Sequence, residues 1–310
     1  MGVDELDRRE REAFAAWLGA IYAERPRAAV APFEHNLEVW RQLWRVLERA
    51  SIFVVVADIR CPLLHLPDAL LRALRRRSAR VVVALTKCDL VADGTFERWR
   101  AALRARFPHV SAWVRFDAPG SSFMGDATRL GPRRKLLKMR RGGVKRGVWC
   151  ASVHALLAAC GVDVPRTIAG ENIDAEQTVG VGVSGARDDA ALPCIGLLGQ
   201  PSVGKSSLLN ALMAQKVASV SITAGHTKTL QTHYVRPALA GEDGALAQGD
   251  ASAAPIAIIC DCPGVVFPRL ALEVPRAMLE VAGSLMSAQV REPYDASYVP
   301  LHFVRILLTI

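Results

Sequence analysis

The sequence is short of three things. No run reaches the ~18 consecutive apolar residues that a bilayer-spanning helix needs, although 51% of the 310 residues are hydrophobic. The mixture of acids and bases over residues 4–12 is unlike a secretory leader. None of the seven cysteines, Cys61, Cys88, Cys150, Cys160, Cys194, Cys260 and Cys262, belongs to a C-x-x-C pair. Cys260 and Cys262 flank Asp261, but two thiolates alone make a poor zinc site. The expectation is a soluble, intracellular, monomeric chain with reduced, mostly buried thiols and no membrane partner. Acids are the third shortage, and it is local. Residues 129–146 hold nine Lys or Arg and no Asp or Glu; the chain's net charge is +9, so the remainder sums to zero. The basic character belongs to one segment.

There is no internal repeat, and most of the sequence alternates between two periodicities. Phe33, Leu37, Trp40, Trp44 and Leu47 follow the spacing of one apolar helix face. Ile52–Ala57 is a short continuous run rich in β-branched residues, as expected for a strand buried on both faces of a parallel sheet. Val81–Leu85 and Ala112–Phe116 are further strand candidates. Helical stretches around Pro67–Arg77 and through Phe96, Trp99, Leu103 and Phe107 separate them. Helical spacing returns at Val148, Ser152, Leu156 and Cys160, and 161–192 reads as a linker rich in Gly, Asp and Ala. Then come a strand at Ile195–Leu198, a helix at Ser206–Ala214 and strands at Gln231–Arg236 and Ile256–Cys260. An Ala/Gly-rich insertion occupies 238–255, and a last amphipathic pattern runs through Val274, Met278, Val281 and Leu285. Alternating strands and helices predict an α/β fold with a central, mostly parallel sheet.

Three motifs sit at the ends of these strands. Gly199-Gln-Pro-Ser-Val-Gly204-Lys205-Ser206 is a full G-x-x-x-x-G-K-[ST] match, preceded by a strand and opening a helix. Its backbone N–H groups and the helix N-terminus suit a nucleotide's β-phosphate, Lys205 suits β- and γ-oxygens, and Ser206 offers a hydroxyl to Mg²⁺. Gly199, Ser202, Val203, Gly204, Lys205, Ser206 and Ser207 are therefore candidate phosphate-side residues. Asp261-Cys-Pro-Gly264 follows a strand, where Asp261 would hold Mg²⁺ through water and the Gly264 N–H would sense the γ-phosphate. Between these motifs, Thr223-Ala-Gly-His-Thr227 suits a switch loop in which Thr227, or alternatively Thr223, completes the metal shell. Lys205, Thr227 and Gly264 are the candidate catalytic residues, and Ser206, Thr227 and Asp261 the candidate metal ligands. The third motif, Thr86-Lys87-Cys88-Asp89, fits the [NT]-K-x-D pattern that reads guanine. Asp89 can accept from N1–H and the 2-amino group, which adenine does not present, while the Lys87 stem lies along the ring. The predicted ligand is Mg·GTP.

The base-reading motif precedes the phosphate-binding one, the reverse of the Ras-like order. In this the chain resembles the circularly permuted GTPases, in the branch of guanine nucleotide-binding protein-like 1. The likeness is carried by Phe33–Trp44, Asp58-Ile-Arg60 with Pro62, Thr86–Asp89, Gly199–Ser206, Gly225-His-Thr227, Asp261–Gly264 with Phe267-Pro268, and Glu292-Pro-Tyr294. It implies a permuted P-loop fold, GTP hydrolysis and service in ribosome assembly. Asp117-Ala118 is the nearest match to the family's base-supporting Ser-Ala. Ser202 replaces an Asn that in related GTPases helps hold potassium, which puts a K⁺ requirement in doubt. Ala224 replaces a Pro that the family usually carries. The family continues past the equivalent of Ile310, so 269–310 is expected to be an incomplete C-terminal helical region. Residues 1–50 would be an N-terminal helical extension, and 51–268 the G domain. That domain divides into a base-binding half (51–118), the basic segment and linker (119–192), and the P-loop and switch half (193–268).

Val265 stands where Ras-like enzymes carry the glutamine that orients the attacking water. A valine cannot hydrogen-bond that water, so slow intrinsic hydrolysis stimulated by a partner is expected. The Arg129–Arg146 segment suits the phosphate backbone of ribosomal RNA or a pre-ribosomal particle, without base readout. It suits equally a nuclear or nucleolar address, or a solvated loop, and residence in nucleus, nucleolus or cytoplasm is left open. Two other functions fit the same motifs: an RNA- or protein-binding assembly factor with little turnover, and a P-loop ATPase or kinase in which Thr86–Asp89 is coincidental.

Overall fold

The computed structural model describes residues 2–117, 149–164, 192–218, 230–236 and 254–269. The basic segment, the linker from 165 to 191, the insertion from 237 to 253, the Thr223–Thr227 stretch, Ala118 and the C-terminal pattern beyond 269 lie outside the described residues. No described helix is long and apolar enough to cross a membrane.

Helix α1 (Val3–Glu24) comes first, and α2 (Leu37–Arg49) follows. Phe33 belongs to the apolar set that predicted a helix, yet it lies before α2. The Asn36 side chain accepts from the Glu38 N–H and caps the helix there. Phe33 instead packs from an extended segment against Trp17, the two rings edge-on. The chain then runs through β1 (Ile52–Asp58), α3 (Pro62–His65), α4 (Asp68–Arg76), β2 (Arg80–Thr86), α5 (Thr95–Arg106) and β3 (Ala112–Phe116). After an interval it continues with α6 (Ala151–Ala159), β4 (Cys194–Gly199), α7 (Lys205–Leu212), β5 (Gln231–Val235) and β6 (Ala257–Asp261).

Among the described residues six strands form one sheet in the order β3-β2-β1-β4-β6-β5. All neighbours are parallel except β5, which runs antiparallel to β6 at the edge. Alternation along each inner strand fills two core layers. Phe53, Val55, Val81, Val83 and Leu85 meet α1, α2, α4 and α5 on one face, while Val54, Val56, Val82 and Ala84 meet α6 and α7 on the other. The inward residues of α6 are Val153, Leu156 and Leu157, joined by Trp149. Of the positions whose spacing predicted this helix, Leu156 and Cys160 are buried and Ser152 is half-buried, while Val148 lies outside the described residues. The Trp149 indole N–H donates to the Leu212 carbonyl, so this tryptophan sets the roll of the helix.

The N-terminal helices share the sheet's core. Trp17 meets Trp40 edge-on at 5.2 Å between ring centroids. The Arg41 guanidinium, 8% exposed, is enclosed by the carboxylates of Asp7, Glu10 and Glu38, which ties α1 to α2. Residues 31 and 34 then reach across the molecule. The Ala31 N–H donates to the Arg269 carbonyl and the Glu34 N–H to the Val266 carbonyl, at 2.9 and 3.0 Å.

Strand succession reverses between β1 and β4: β1 to β3 step outward in one direction, β4 and β6 in the other. The carboxyl ends of neighbouring strands diverge there, and open α/β sheets bind ligands in that crevice.

Candidate nucleotide-binding site

The carboxyl end of β4 is Gly199. From there the chain turns through Ser202, in the left-handed region with φ +59°, and enters α7 at Lys205. The Lys205 ammonium folds back along this loop and donates to the Gly199 and Gln200 carbonyls at 3.1 and 2.7 Å. Burial pushes its pKa down, and the nearby Asp261 charge works against that. Gln200 is buried, and its amide donates to the Leu64 carbonyl of α3 at 2.8 Å, which fixes the loop against the turn that follows β1. Ser206 and Ser207, on the first turn of α7, are half-buried.

The base-reading motif meets this loop directly. The Thr86 hydroxyl, at the end of β2, lies 2.6 Å from the Val203 carbonyl and 3.2 Å from the Ala57 carbonyl, although Thr86 and Val203 are 117 residues apart in sequence. Lys87, itself left-handed with φ +60°, donates to the Ser202 carbonyl at 2.8 Å and to Asp58 Oδ2 at 2.7 Å. Asp89 follows in a short 3₁₀ turn, Cys88–Leu90. Burial raises its pKa, and the neighbouring Asp117 carboxylate raises it further. Asp117, just after β3, is held by the Arg115 guanidinium at 2.7 Å. The two carboxylates therefore sit at the ends of adjacent strands on the same side as the loop.

The D-x-x-G motif arrives on β6. The strand extends one residue further than its apolar run, so Asp261 is its last residue, 1% exposed. Burial raises the Asp261 carboxyl to about 6 despite the opposing pull of Lys205, and its Oδ1 has no hydrogen-bond partner among the described residues. Gly264 packs on the phosphate-binding loop so closely that a Cβ there would come 2.7 Å from the Pro201 nitrogen and 2.9 Å from its Cα. The Val265 N–H then donates to the Gly199 carbonyl at 3.3 Å. The structure thus gathers Gly199, Ser202, Val203, Gly204, Lys205, Ser206, Thr86, Lys87, Asp89, Asp117, Asp261 and Gly264 at one end of the sheet. Thr227 and Ala118 lie outside the described residues.

One site residue is missing from the motif reading. Asp58 ends β1 and is 2% exposed; it pairs with Arg60 and with Lys87, and Lys87 in turn bonds the Ser202 carbonyl of the phosphate-binding loop. The available signal was a carboxylate closing an otherwise apolar parallel strand, with an arginine two residues on.

A family described as 50S ribosome-binding GTPase matches residues 194–296. Guanine nucleotide-binding protein-like 1 from Homo sapiens is 33% identical over 334 residues, covering 96% of this chain and 50% of that one. Its Rattus norvegicus counterpart is 31% identical over 329 residues, with the same coverage. The GTPase LSG1-2 of Arabidopsis thaliana is 30% identical over 280 residues, or 86% of this chain and 42% of that one. The chain spans about half the length of the curated relatives it matches. Among solved structures, YjeQ from Thermotoga maritima matches 69% of this chain and 48% of that chain at 14% identity, with a TM-score of 0.31. Over the residues these sequence matches cover, the chain is homologous to guanine nucleotide-binding protein-like 1 and carries a P-loop GTPase domain, with its base-reading motif ahead of its phosphate-binding one.

Proposed function

We propose that this chain binds Mg·GTP across the β1/β4 crevice and hydrolyses it to GDP and phosphate, as a switch in ribonucleoprotein assembly at the large ribosomal subunit. The observation that carries the nucleotide reading is the direct contact of the two motifs, Thr86 to Val203 and Lys87 to Ser202. Two surfaces so joined suit one ligand that carries a base at one end and phosphates at the other. The assembly role is supported by the description of the matched family as ribosome-binding GTPases. The ribosomal RNA or pre-ribosomal partner would engage Arg129–Arg146. In this reading 51–268 is the G domain.

The donors suit magnesium. Ser206 offers a hydroxyl oxygen and Asp261 a buried carboxylate with one oxygen unpartnered among the described residues, and Mg²⁺ takes few protein oxygens alongside phosphate and water. Among the described residues no cluster of three His, Cys, Asp or Glu would favour another metal. When bound, Mg²⁺ neutralises charge on the β- and γ-oxygens. The chain's own groups do the rest. Lys205 exchanges its loop carbonyls for phosphate oxygens, the Gly264 N–H addresses the γ-phosphate, and Thr227 completes the metal shell. At the other end Asp89 reads the guanine edge while Asp117-Ala118 supports the base.

Exchanging Asp89→Asn tests the base assignment. The amide donates where xanthine presents an oxygen, so affinity for GTP should fall by about a hundredfold while xanthosine triphosphate gains. An unchanged preference, or equal binding of ATP and GTP by the wild type, would overturn the reading.

Val265 favours a second reading, an assembly factor stabilised by nucleotide with little turnover of its own. Its side chain is 3% exposed and packed in the core, with no group to orient water. Single-turnover hydrolysis with and without pre-ribosomal particles separates the two. Acceleration by the particles supports the switch, and an equally slow rate in both supports the factor.

A further inference from the structure

The Lys87 ammonium has two partners, and only one belongs to a recognised nucleotide motif. One is the Ser202 carbonyl of the phosphate-binding loop, at 2.8 Å. The other is Asp58 Oδ2 at 2.7 Å, from the last residue of β1. Asp58 is fully engaged. Its Oδ1 accepts from the Arg60 backbone N–H and Nε at 3.0 Å, and its Oδ2 accepts from Arg60 Nη2 at 2.6 Å as well as from Lys87. Burial alone would push this carboxyl up, but Arg60 and Lys87 outweigh it and hold it below the ordinary carboxylate range. It is therefore a permanent anion between two cations that differ in exposure, Arg60 being 49% exposed and Lys87 27%. Both ends of the Lys87–Ser202 bond are left-handed, non-glycine residues. Such backbone persists only where its surroundings over-determine it.

We infer that Asp58 is a positioning residue of the guanine site: its buried carboxylate presses the Lys87 ammonium against the Ser202 carbonyl, so that the base-reading stem and the phosphate-binding loop stand in register before a nucleotide enters. This rests on the nucleotide reading above and deepens it. Thr86 already ties the backbone of β2 to the loop through Val203. What that tie leaves loose is a long lysine side chain, whose rotamers are numerous and whose stem must lie along the base. A carboxylate on the middle strand, fixed by a bidentate arginine, removes that freedom without touching the ligand. Arg60 also feels the Asp89 charge, so the group lies within electrostatic reach of the base-reading carboxylate.

The test compares ligands that use Lys87 differently. Asp58→Asn keeps an oxygen to accept the Arg60 N–H and so keeps the turn, while removing the charge that holds Lys87. GDP affinity should fall on the order of tenfold, the effect of losing one charge-assisted bond. Tripolyphosphate, which has no base, should bind as it does to the wild type. In a Lys87→Met background, Asp58→Asn should cost GDP nothing further, because the interaction it removes is already gone. Equal losses for GDP and tripolyphosphate, or additive losses in the Lys87→Met background, would make Asp58 a support of the fold and overturn the assignment. Asp58→Ser, whose hydroxyl also caps the turn, must show the same split, and failure of both variants to fold would count against the inference too. Wild-type titrations with GDP and ADP run alongside. If the wild type does not prefer GDP, the nucleotide reading falls; if it does and Asp58→Asn matches it, only the role of Asp58 falls.

Discussion

In the base-reading half of the sheet, two of the polar side chains at the strand ends are satisfied by the protein itself, while Asp117 Oδ1 is buried without a partner among the described residues. Asp58 has Arg60 and Lys87, and the Thr86 hydroxyl has the Val203 and Ala57 carbonyls. In the phosphate half, Lys205 is bonded to carbonyls of its own loop and Asp261 keeps a buried oxygen without a partner among the described residues. Connections differ in the same way. Short turns and helices join β1, β2 and β3, whereas of the other three strands only β4 pairs with β1, β6 pairing with β4 and β5 with β6. The unpartnered oxygens thus lie at the two ends of the crevice, Asp117 at the base end and Asp261 at the phosphate end, while Asp58 and Thr86 between them are completed by the protein.

The seam between the halves is where this difference is most exposed to mutation. β4 pairs Ile195 with Ile52 and Gly196 with Phe53. A Cβ on Gly196 would come 2.7 Å from Val46 Cγ1 and 2.9 Å from Phe53 Cδ1, both fully buried side chains with no room to retreat. Gly196→Val should therefore destabilise the protein by about 3 kcal/mol, at the upper end for overpacking a core. Denaturant unfolding measures it. If the halves were loosely joined, β4 would shift outward and the cost would stay under about 1 kcal/mol. That result would break the picture of a rigid base half serving as the template for the phosphate half.

Much of this was legible in the sequence, and what was not has identifiable causes. β-branched runs such as Phe53–Val56 and Val81–Val83 mark strands because few other arrangements bury them on both faces. The glycines and lysine of the phosphate-binding loop are likewise local chemistry. The direction of β5 was not legible, since alternation says nothing about whether a strand runs with or against its neighbour. The α2 boundary moved because one capping residue, Asn36, outweighs a continuing apolar period. Around α6 the inward side was legible at Leu156 and Cys160 but not at Trp149 and Val153, because a spacing of four through Ser152 runs one residue out of step with theirs. Asp58 was legible as part of the Asp58-Ile-Arg60 likeness but not as a site residue, because its pairing with Lys87 is set by how two strands align in the sheet.

Asp58 and Asp261 should also respond differently to pH. Asp58 is held below the ordinary range, so it stays ionised in the folded and the unfolded chain between pH 5 and 7 and adds no slope there. Asp261, raised to about 6, takes up a proton in the folded state over that range while its unfolded counterpart, near 3.8, stays ionised. Where the native state binds more protons, stability falls as pH rises. Asp261's contribution is thus present in acid and lost as pH climbs through about 6. Between pH 7 and pH 5 this one group should add about 1 kcal/mol to the nucleotide-free protein, opposite in sign to ordinary acid denaturation. Denaturant midpoints of wild type and Asp261→Asn at the two pH values isolate it, because every other titrating group is common to both. A slope in the Asp261→Asn protein equal to that of the wild type would mean that Asp261 finds a partner of its own, and its contrast with the ion-paired Asp58 would be lost.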